Sequence, residues 1–212
     1  MSRAGVAPNV AFERIELLDW KRTVFDLYRE VRADADPIRA WRSWRDVRGE
    51  LIALHPQSPL DVSRRGAFAP AYFDYDPTLR TLADVVPVPP ADAGVPMSRG
   101  EKTRFTHFAD AAFDVAGQAT RLGLYWLEGY GGGVFLSFTD ATSGEETYGA
   151  GRYLLDTVKG ADLGTLDGRL VLDFNFAFNP SCAYDSRWAC PLAPPDNRLP
   201  FAVRAGELAP QT

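Results

Sequence analysis

The most suggestive polar residues in this sequence lie in the segment 170–179, where charged and amide side chains alternate with large apolar ones. In an extended strand, alternate side chains point to opposite faces, so Asp173 and Asn175 would point the same way. The other face would carry Leu172, Phe174, Phe176 and Phe178. The polar row either meets solvent or lines a cavity, where a carboxylate beside an amide could orient a small ligand.

Arg152 is the second candidate, because it is a lone cation in the otherwise neutral segment 147–155. A strand over 146–155 would place it on the same face as Tyr148. An arginine in this setting either pairs with a buried carboxylate such as Asp173 or binds an anionic ligand through its planar guanidinium group. Both alternatives stay open from the residues alone.

Cys182 and Cys190 lie eight positions apart in a loop-like stretch bounded by prolines. They could be buried apolar thiols, or a disulfide or reversible redox pair. Alternatively, Cys182 could be a catalytic nucleophile, which requires a nearby base that the sequence does not identify. The spacing differs from the C-x-x-C of thioredoxin-like proteins, so it does not select among the three interpretations.

The sequence lacks motifs for metal, phosphate or dinucleotide binding. The only histidines are His55 and His107, which excludes a multi-histidine metal site, and no metal is predicted. The glycines at 131–133 lack the Lys-Ser/Thr pair of a phosphate-binding loop, so they predict a wide hairpin turn. The chain has no G-x-G-x-x-G fingerprint either. Any cofactor and any catalytic residue therefore stay unknown.

Composition narrows the classes of partner. The chain has 212 residues, 46% of them hydrophobic, and 28 acidic against 23 basic residues give a net charge of −5. That charge argues against nucleic acid as a partner. No apolar run approaches the ~20 residues of a membrane span, and residues 1–9 lack the order of a signal peptide. We therefore expect a cytoplasmic protein that does not enter a membrane.

The elements that position these residues begin with a helical part, residues 12–54, where apolar residues recur at helical spacing. The first helix carries an apolar stripe of Ile15, Leu18, Phe25, Tyr28 and Val31. Pro37 fits the first turn of a second helix, with Asp34 or Asp36 as its cap. The arginine-rich faces of these helices are typical of solvated surfaces with ion pairs.

Residues 70–205 form a β-rich body with frequent turn residues. The predicted strands are 104–108, 112–115, 119–127, 134–139, 146–155 and 169–178. An irregular connector precedes them, because proline blocks a central ladder, and it contains Pro87, Pro89, Pro90 and Pro96. We predict a single α+β domain over 1–212, with the helices packed on a curved antiparallel sheet that closes partly or fully into a β-barrel.

Long motifs in the sequence resemble an uncharacterised bacterial and archaeal family, catalogued as domain of unknown function 1684. The motifs are LYWLEGYGGG at 124–133, ETYGAGRYL at 146–154, DFNFAFNP at 173–180, CAY at 182–184, CPLAPPDNRLP at 190–200, and HPQSPL at 55–60 after a helix rich in tryptophan and arginine. The likeness covers about residues 20–207. It implies a single domain but brings no activity with it.

The leading functional hypothesis is binding of a small anionic molecule in a pocket of the barrel, with or without turnover. Its ligand-binding residues would be Arg152, Asp173, Asn175, Tyr184, Arg198 and Tyr148, with the two arginines on the anionic group. These groups equally suit a structural hydrogen-bond network, in which Asn197 or Arg198 would satisfy backbone carbonyls.

Two other classes of function stay open. A thiol-dependent enzyme would use Cys182 as its nucleophile or redox thiol. A non-enzymatic interaction or oligomerisation module would expose Trp41, Trp44 and Trp188 as an aromatic patch, and a homodimer would then be the natural assembly.

Overall fold

The computed structural model describes residues 10–100, 103–115 and 117–211. These residues form two helices, α1 (Val10–Ala33) and α2 (Pro37–Leu54), followed by seven strands. The strands are β1 (Arg80–Ala93), β2 (Phe105–Val115), β3 (Gln118–Leu127), β4 (Gly133–Phe138), β5 (Arg152–Asp156), β6 (Thr165–Leu166) and β7 (Arg169–Asp173).

The strands form one antiparallel sheet with the order β5-β4-β3-β2-β1-β7-β6, which curls into a half-barrel. The predicted α+β class is therefore confirmed, with the sheet partly closed. The hairpin between β3 and β4 uses the glycine-rich turn, as predicted, and Leu127 pairs with Gly133 at its base. Neither helix in the described ranges combines the length and apolar character needed to cross a bilayer.

Local signals at the start of α2 are confirmed. Asp36 is the N-cap, and its carboxylate accepts hydrogen bonds from the backbone N–H groups of Ile38 (3.0 Å) and Arg39 (3.2 Å). Pro37 occupies the first turn, where its missing N–H leaves no bond unmade. The helix buries Trp41 and Trp44, so the predicted exposed aromatic patch is wrong for these two residues.

Only part of the apolar stripe predicted for α1 is buried. Tyr28 and Val31 are buried, whereas Ile15, Leu18 and Phe25 are 63%, 40% and 46% exposed. The apolar cluster around α2 takes only Val24, Leu27, Tyr28 and Val31 from α1, so Ile15, Leu18 and Phe25 stay outside it. The first half of α1 therefore presents apolar side chains outside that cluster.

The irregular connector predicted from the prolines is wrong over most of its length. Pro87, Pro89 and Pro90 lie within β1. This strand pairs with β7 only over 80–83, and beyond that point it pairs with β2 alone, with a register shift between Pro87 and Ala91. Proline is compatible with such one-sided pairing because the side without a partner strand requires no N–H donor.

Two predicted strands are shorter than expected. The segment 169–178 is a strand only to Asp173, after which Phe174–Phe176 form a 3-10 turn. The segment 146–155 becomes a strand at Arg152, after a series of turns. Phe174 therefore packs in the core of the sheet, whereas Phe176 packs against α1 and α2, and the single apolar face predicted for this segment is wrong.

The predicted strands 104–108 and 112–115 are parts of one longer strand, β2. Its inward side chains join those of β1, β3, β4, β5 and β7 in a single apolar cluster within the curl of the sheet. A second cluster connects α1 and α2 to Ala161 and Phe176. Between the helices and the loops that follow β5 and β7 the packing is incomplete, and the candidate site lies there.

Candidate functional site

A cavity of about 80 Å³ lies between α1, α2 and the loops after β5 and β7. Its apolar wall includes Leu27, Leu51, Ile52 and Phe178. Its polar wall includes Tyr28, Arg48, Asp156, Lys159, Asn179 and Tyr184. An apolar concave surface with a few convergent polar groups is the usual character of a small-molecule site.

Arg48 is the central cation of this wall, and only 14% of its side chain is exposed. Its Nη2 donates to Glu207 Oε2 at 2.8 Å and to the carbonyl oxygen of Asn179 at 3.2 Å, while Nε donates to Glu207 Oε2 at 3.3 Å. No described residue accepts a hydrogen bond from Nη1. Burial lowers the pKa of Arg48, but the Glu207 carboxylate together with Tyr184 and Tyr72 outweighs this, so the pKa is raised.

Glu207 anchors the arginine from the C-terminal segment, and its side chain is 1% exposed. It also accepts hydrogen bonds from the Asn179 backbone N–H at 2.7 Å and from the Tyr184 hydroxyl. Burial raises the pKa of Tyr184 well above its usual range. The carboxylate thus fixes Arg48, Tyr184 and the chain at Asn179 in one rigid group.

Two further donors lie in the same wall. The Tyr28 hydroxyl accepts a hydrogen bond from Trp44 Nε1 at 3.1 Å, and burial raises its pKa, so it keeps its own hydrogen for donation. Lys159 lies 3.0 Å from Asp156, whose carboxylate raises the pKa of the lysine. The remaining polar group is Asn179 Oδ1, a buried acceptor without a hydrogen-bond partner among the described residues.

Asp173 and Asn175 do contact each other, although not as neighbours on a strand. Asp173 caps the 3-10 turn, and its Oδ1 accepts from the Asn175 backbone N–H (3.0 Å) and from Asn175 Nδ2 (2.8 Å). Asn175 is also bonded to both backbone groups of Asp76. Burial raises the pKa of Asp173. Both side chains are buried, and they lie outside the wall of the cavity described above.

Arg152 pairs with a buried carboxylate, but the partner is Asp140 rather than Asp173. The distance from Arg152 Nη2 to Asp140 Oδ2 is 2.8 Å, and each side chain is 1% exposed. The guanidinium group also donates to the backbone carbonyls of Val203 (3.0 Å) and Ala205, which leaves only its buried Nε without a partner among the described residues. It joins the C-terminal segment to β5 and does not line the cavity.

The other predicted site residues are dispersed. Tyr184 lies in the cavity wall, whereas the Tyr148 hydroxyl lies 3.7 Å from Cys182 Sγ. Arg198 is exposed. The predicted structural alternative is realised by Asn197, whose amide group accepts from the Gly123 N–H (2.7 Å) and donates to two backbone carbonyls of the sheet.

Sequence reasoning missed Arg48 and Glu207. The prediction of a solvated arginine face is wrong for Arg48, because it lies on the same side of α2 as Trp41, Trp44 and Leu51. Those residues follow a spacing of three, four and three, so the helical period already placed Arg48 on the buried stripe. Glu207 carried no comparable signal, because it lies in an irregular segment near the end of the chain.

Fold and site together define an α+β protein in which two helices close a cavity against a curled half-barrel. The sequence model of the family described as "Protein of unknown function (DUF1684)" matches residues 69–208, and this chain belongs to that family. The resemblance noted from the motifs is thus confirmed.

Among solved structures, this chain is similar to the solution NMR structure of the uncharacterized protein from gene locus rrnAC0354 of Haloarcula marismortui. The two chains share 34% sequence identity, the match covers 79% of this chain and 91% of that one, and the TM-score is 0.57. No curated protein matches the chain. Neither the family description nor the name of the solved relative mentions a ligand or a reaction, so function must be argued from the site.

Proposed function

We propose that this protein binds a small organic acid in the cavity between the helices and the half-barrel. The observation that carries the proposal is the arrangement of Arg48, whose Nε and Nη2 are fixed by Glu207 while Nη1 has no partner among the described residues. A rigid guanidinium group with a free donor is well suited to bind a carboxylate. The Tyr28 hydroxyl and Lys159 add further donors in the same wall.

The size of the cavity limits the ligand. An engineered apolar cavity of about 150 Å³ binds benzene. The space here is about 80 Å³, which suits a carboxylate group with a short aliphatic chain. Leu27, Ile52 and Phe178 would contact that chain.

The proposal is tested by titrating the full chain with butyrate and following the indole N–H signals of Trp20 and Trp44 by NMR, since both rings line the cavity. We expect saturable shifts with butyrate and none with 1-butanol, which has the same chain length without the charge. Equal additions of sodium chloride control for ionic strength.

Arg48→Lys is the decisive variant, because lysine keeps the charge but lacks the planar fork. Loss of a charge-assisted hydrogen bond of about 1.5 kcal/mol or more weakens butyrate binding about tenfold. Arg45→Lys is the matched control, since Arg45 lies on the same helix over the rings of Trp41 and Tyr72 and outside the cavity wall. Unchanged affinity in folded Arg48→Lys would contradict the proposal.

We propose in addition that the protein is cytoplasmic and that it forms a homodimer. The cytoplasm is supported by Cys182 and Cys190, which are free thiols that a reducing compartment preserves. A homodimer is supported by the exposed apolar side chains of Phe12 and Ile15 on the first half of α1. Light scattering that shows a strict monomer at high concentration would contradict the dimer without affecting the cavity.

A further inference from the structure

Cys182 and Cys190 lie next to each other beside the cavity. Both are free and buried, with 8% and 6% of their surfaces exposed. The Cys182 backbone N–H donates to Cys190 Sγ at 3.3 Å, which brings the two residues into contact. Their loop is tied to the preceding segment by the Cys190 backbone N–H, which donates to Ser98 Oγ at 2.9 Å. Two cysteines in contact can form a disulfide with little rearrangement of the chain.

The two thiols have different surroundings. The neighbouring Cys190 thiol and the Tyr148 hydroxyl, which lies 3.7 Å from Cys182 Sγ, lower the pKa of Cys182. The neighbouring Cys182 thiol and burial raise the pKa of Cys190. The other titratable groups near the pair are Tyr153 and Lys159, and the lysine favours a thiolate. These surroundings favour a thiolate on Cys182 over one on Cys190.

A route for a small reagent exists on the side of Cys190, because this residue lines the cavity. Hydrogen peroxide is close to water in size, and a cavity of about 80 Å³ admits molecules of that size. Tyr148 is only partly buried, so the Cys182 side of the pair is also close to the surface.

We propose that Cys182 and Cys190 form a peroxide-sensitive dithiol site, in which Cys182 is the nucleophile and Cys190 is the resolving thiol. The Cys182 thiolate attacks one oxygen of hydrogen peroxide, an S–O bond forms, the O–O bond breaks, and the departing hydroxide takes a proton from solvent. Cys190 sulfur then attacks Cys182 sulfur, an S–S bond forms, and the S–O bond breaks. The proton of Cys190 leaves with the hydroxide as water. Peroxide is reduced to two water molecules, and the two thiols are oxidised to one disulfide.

The proposal does not rest on the butyrate site, and its test uses peroxide alone. The full chain is treated with hydrogen peroxide and analysed by intact mass and by free-thiol alkylation. We expect the loss of both free thiols and of two hydrogen atoms in the monomer. In Cys190→Ser the reaction stops at the sulfenic acid, which dimedone traps on Cys182. In Cys182→Ser, Cys190 forms no dimedone adduct under the same conditions.

Tyr148→Phe keeps both cysteines, so it tests the dithiol proposal even if a cysteine variant fails to fold. It removes the hydroxyl that stabilises the thiolate, so disulfide formation slows by about fivefold at neutral pH. The thiolate fraction falls as the pH falls through the pKa of Cys182. The oxidation rate of the wild-type protein is therefore half-maximal at a lower pH than that of free cysteine in the same buffer.

Three results would overturn the proposal. The first is a wild-type protein that keeps both thiols at a peroxide concentration that oxidises free cysteine. The second is a dimedone adduct on Cys190 in folded Cys182→Ser that forms as fast as the adduct on Cys182 in Cys190→Ser. The third is a pH profile no different from that of free cysteine.

Discussion

Two buried arginines in this molecule, Arg152 and Arg48, have different roles. Arg152 is 1% exposed, and its guanidinium group is occupied by Asp140 and by backbone carbonyls of the C-terminal segment. Arg48 is held by a carboxylate too, but it borders a cavity and keeps Nη1 without a partner among the described residues. Both hold the same C-terminal segment, because Arg152 also contacts the Glu207 carbonyl and Arg48 binds the Glu207 carboxylate.

The difference shows that burial and charge alone do not identify a binding residue. Arg152 has the more apolar sequence neighbours, yet its hydrogen bonds connect β5 to the C-terminal segment. Arg48 lies among other arginines on a helix, yet it lines the cavity. A buried arginine therefore has to be judged by which of its five N–H groups are already bonded, and by whether the others border a cavity.

Replacement of Arg152 has the largest expected effect on stability. Arg152→Met keeps most of the volume but leaves the Asp140 carboxylate buried and unpaired. Breaking a buried pair in this way costs about 3–5 kcal/mol. Urea unfolding monitored by tryptophan fluorescence measures the change.

The matched control for this variant is Arg204→Met, which removes an exposed pair with Glu146. Exposed pairs contribute about 0–1 kcal/mol, so the control should unfold close to the wild-type midpoint. If the two variants lost equal stability, the structural role assigned to Arg152 would be wrong.

Tyr184→Phe has an intermediate effect, because it removes the hydroxyl that donates to Glu207 Oε1. That oxygen is then left buried without its donor, which costs about 1–3 kcal/mol. Thermal unfolding measures the loss. A variant as stable as the wild type would show that water replaces the hydroxyl, and that the cavity is wetter than its apolar wall indicates.

Arg48→Lys has the smallest expected effect on stability and a large effect on binding. The ammonium group can still pair with Glu207, so the free energy of unfolding falls by only about 1 kcal/mol. Affinity for butyrate falls about tenfold, because the free donor is lost. The comparison between the two arginines would fail if Arg48→Lys destabilised the protein as severely as Arg152→Met.

The sequence predicted those features that local chemistry decides. The cap of α2 depends on Asp36 and Pro37, which act within one turn, and the β3–β4 hairpin depends on its glycines. The proline-containing part of β1 could not be predicted, because it depends on which side of the strand meets a partner.

The candidate site depends still more on distant contacts. Arg48 and Glu207 are separated by 159 positions, and only the fold brings them together. The partner of Arg152 was unpredictable for a related reason, because Asp140 and Asp173 are both acidic residues that end up buried. Tyr184 is the one predicted ligand-binding residue that lies in the wall of this cavity.

The most direct test of the account compares the two arginines in one spectrum. Arginine Nε–Hε signals are recorded by NMR with and without saturating butyrate, and the signals are assigned with Arg48→Lys and Arg152→Lys. We expect the Arg48 signal to shift on addition of butyrate while the Arg152 signal stays in place. A shift of the Arg152 signal with no change at Arg48 would contradict the account.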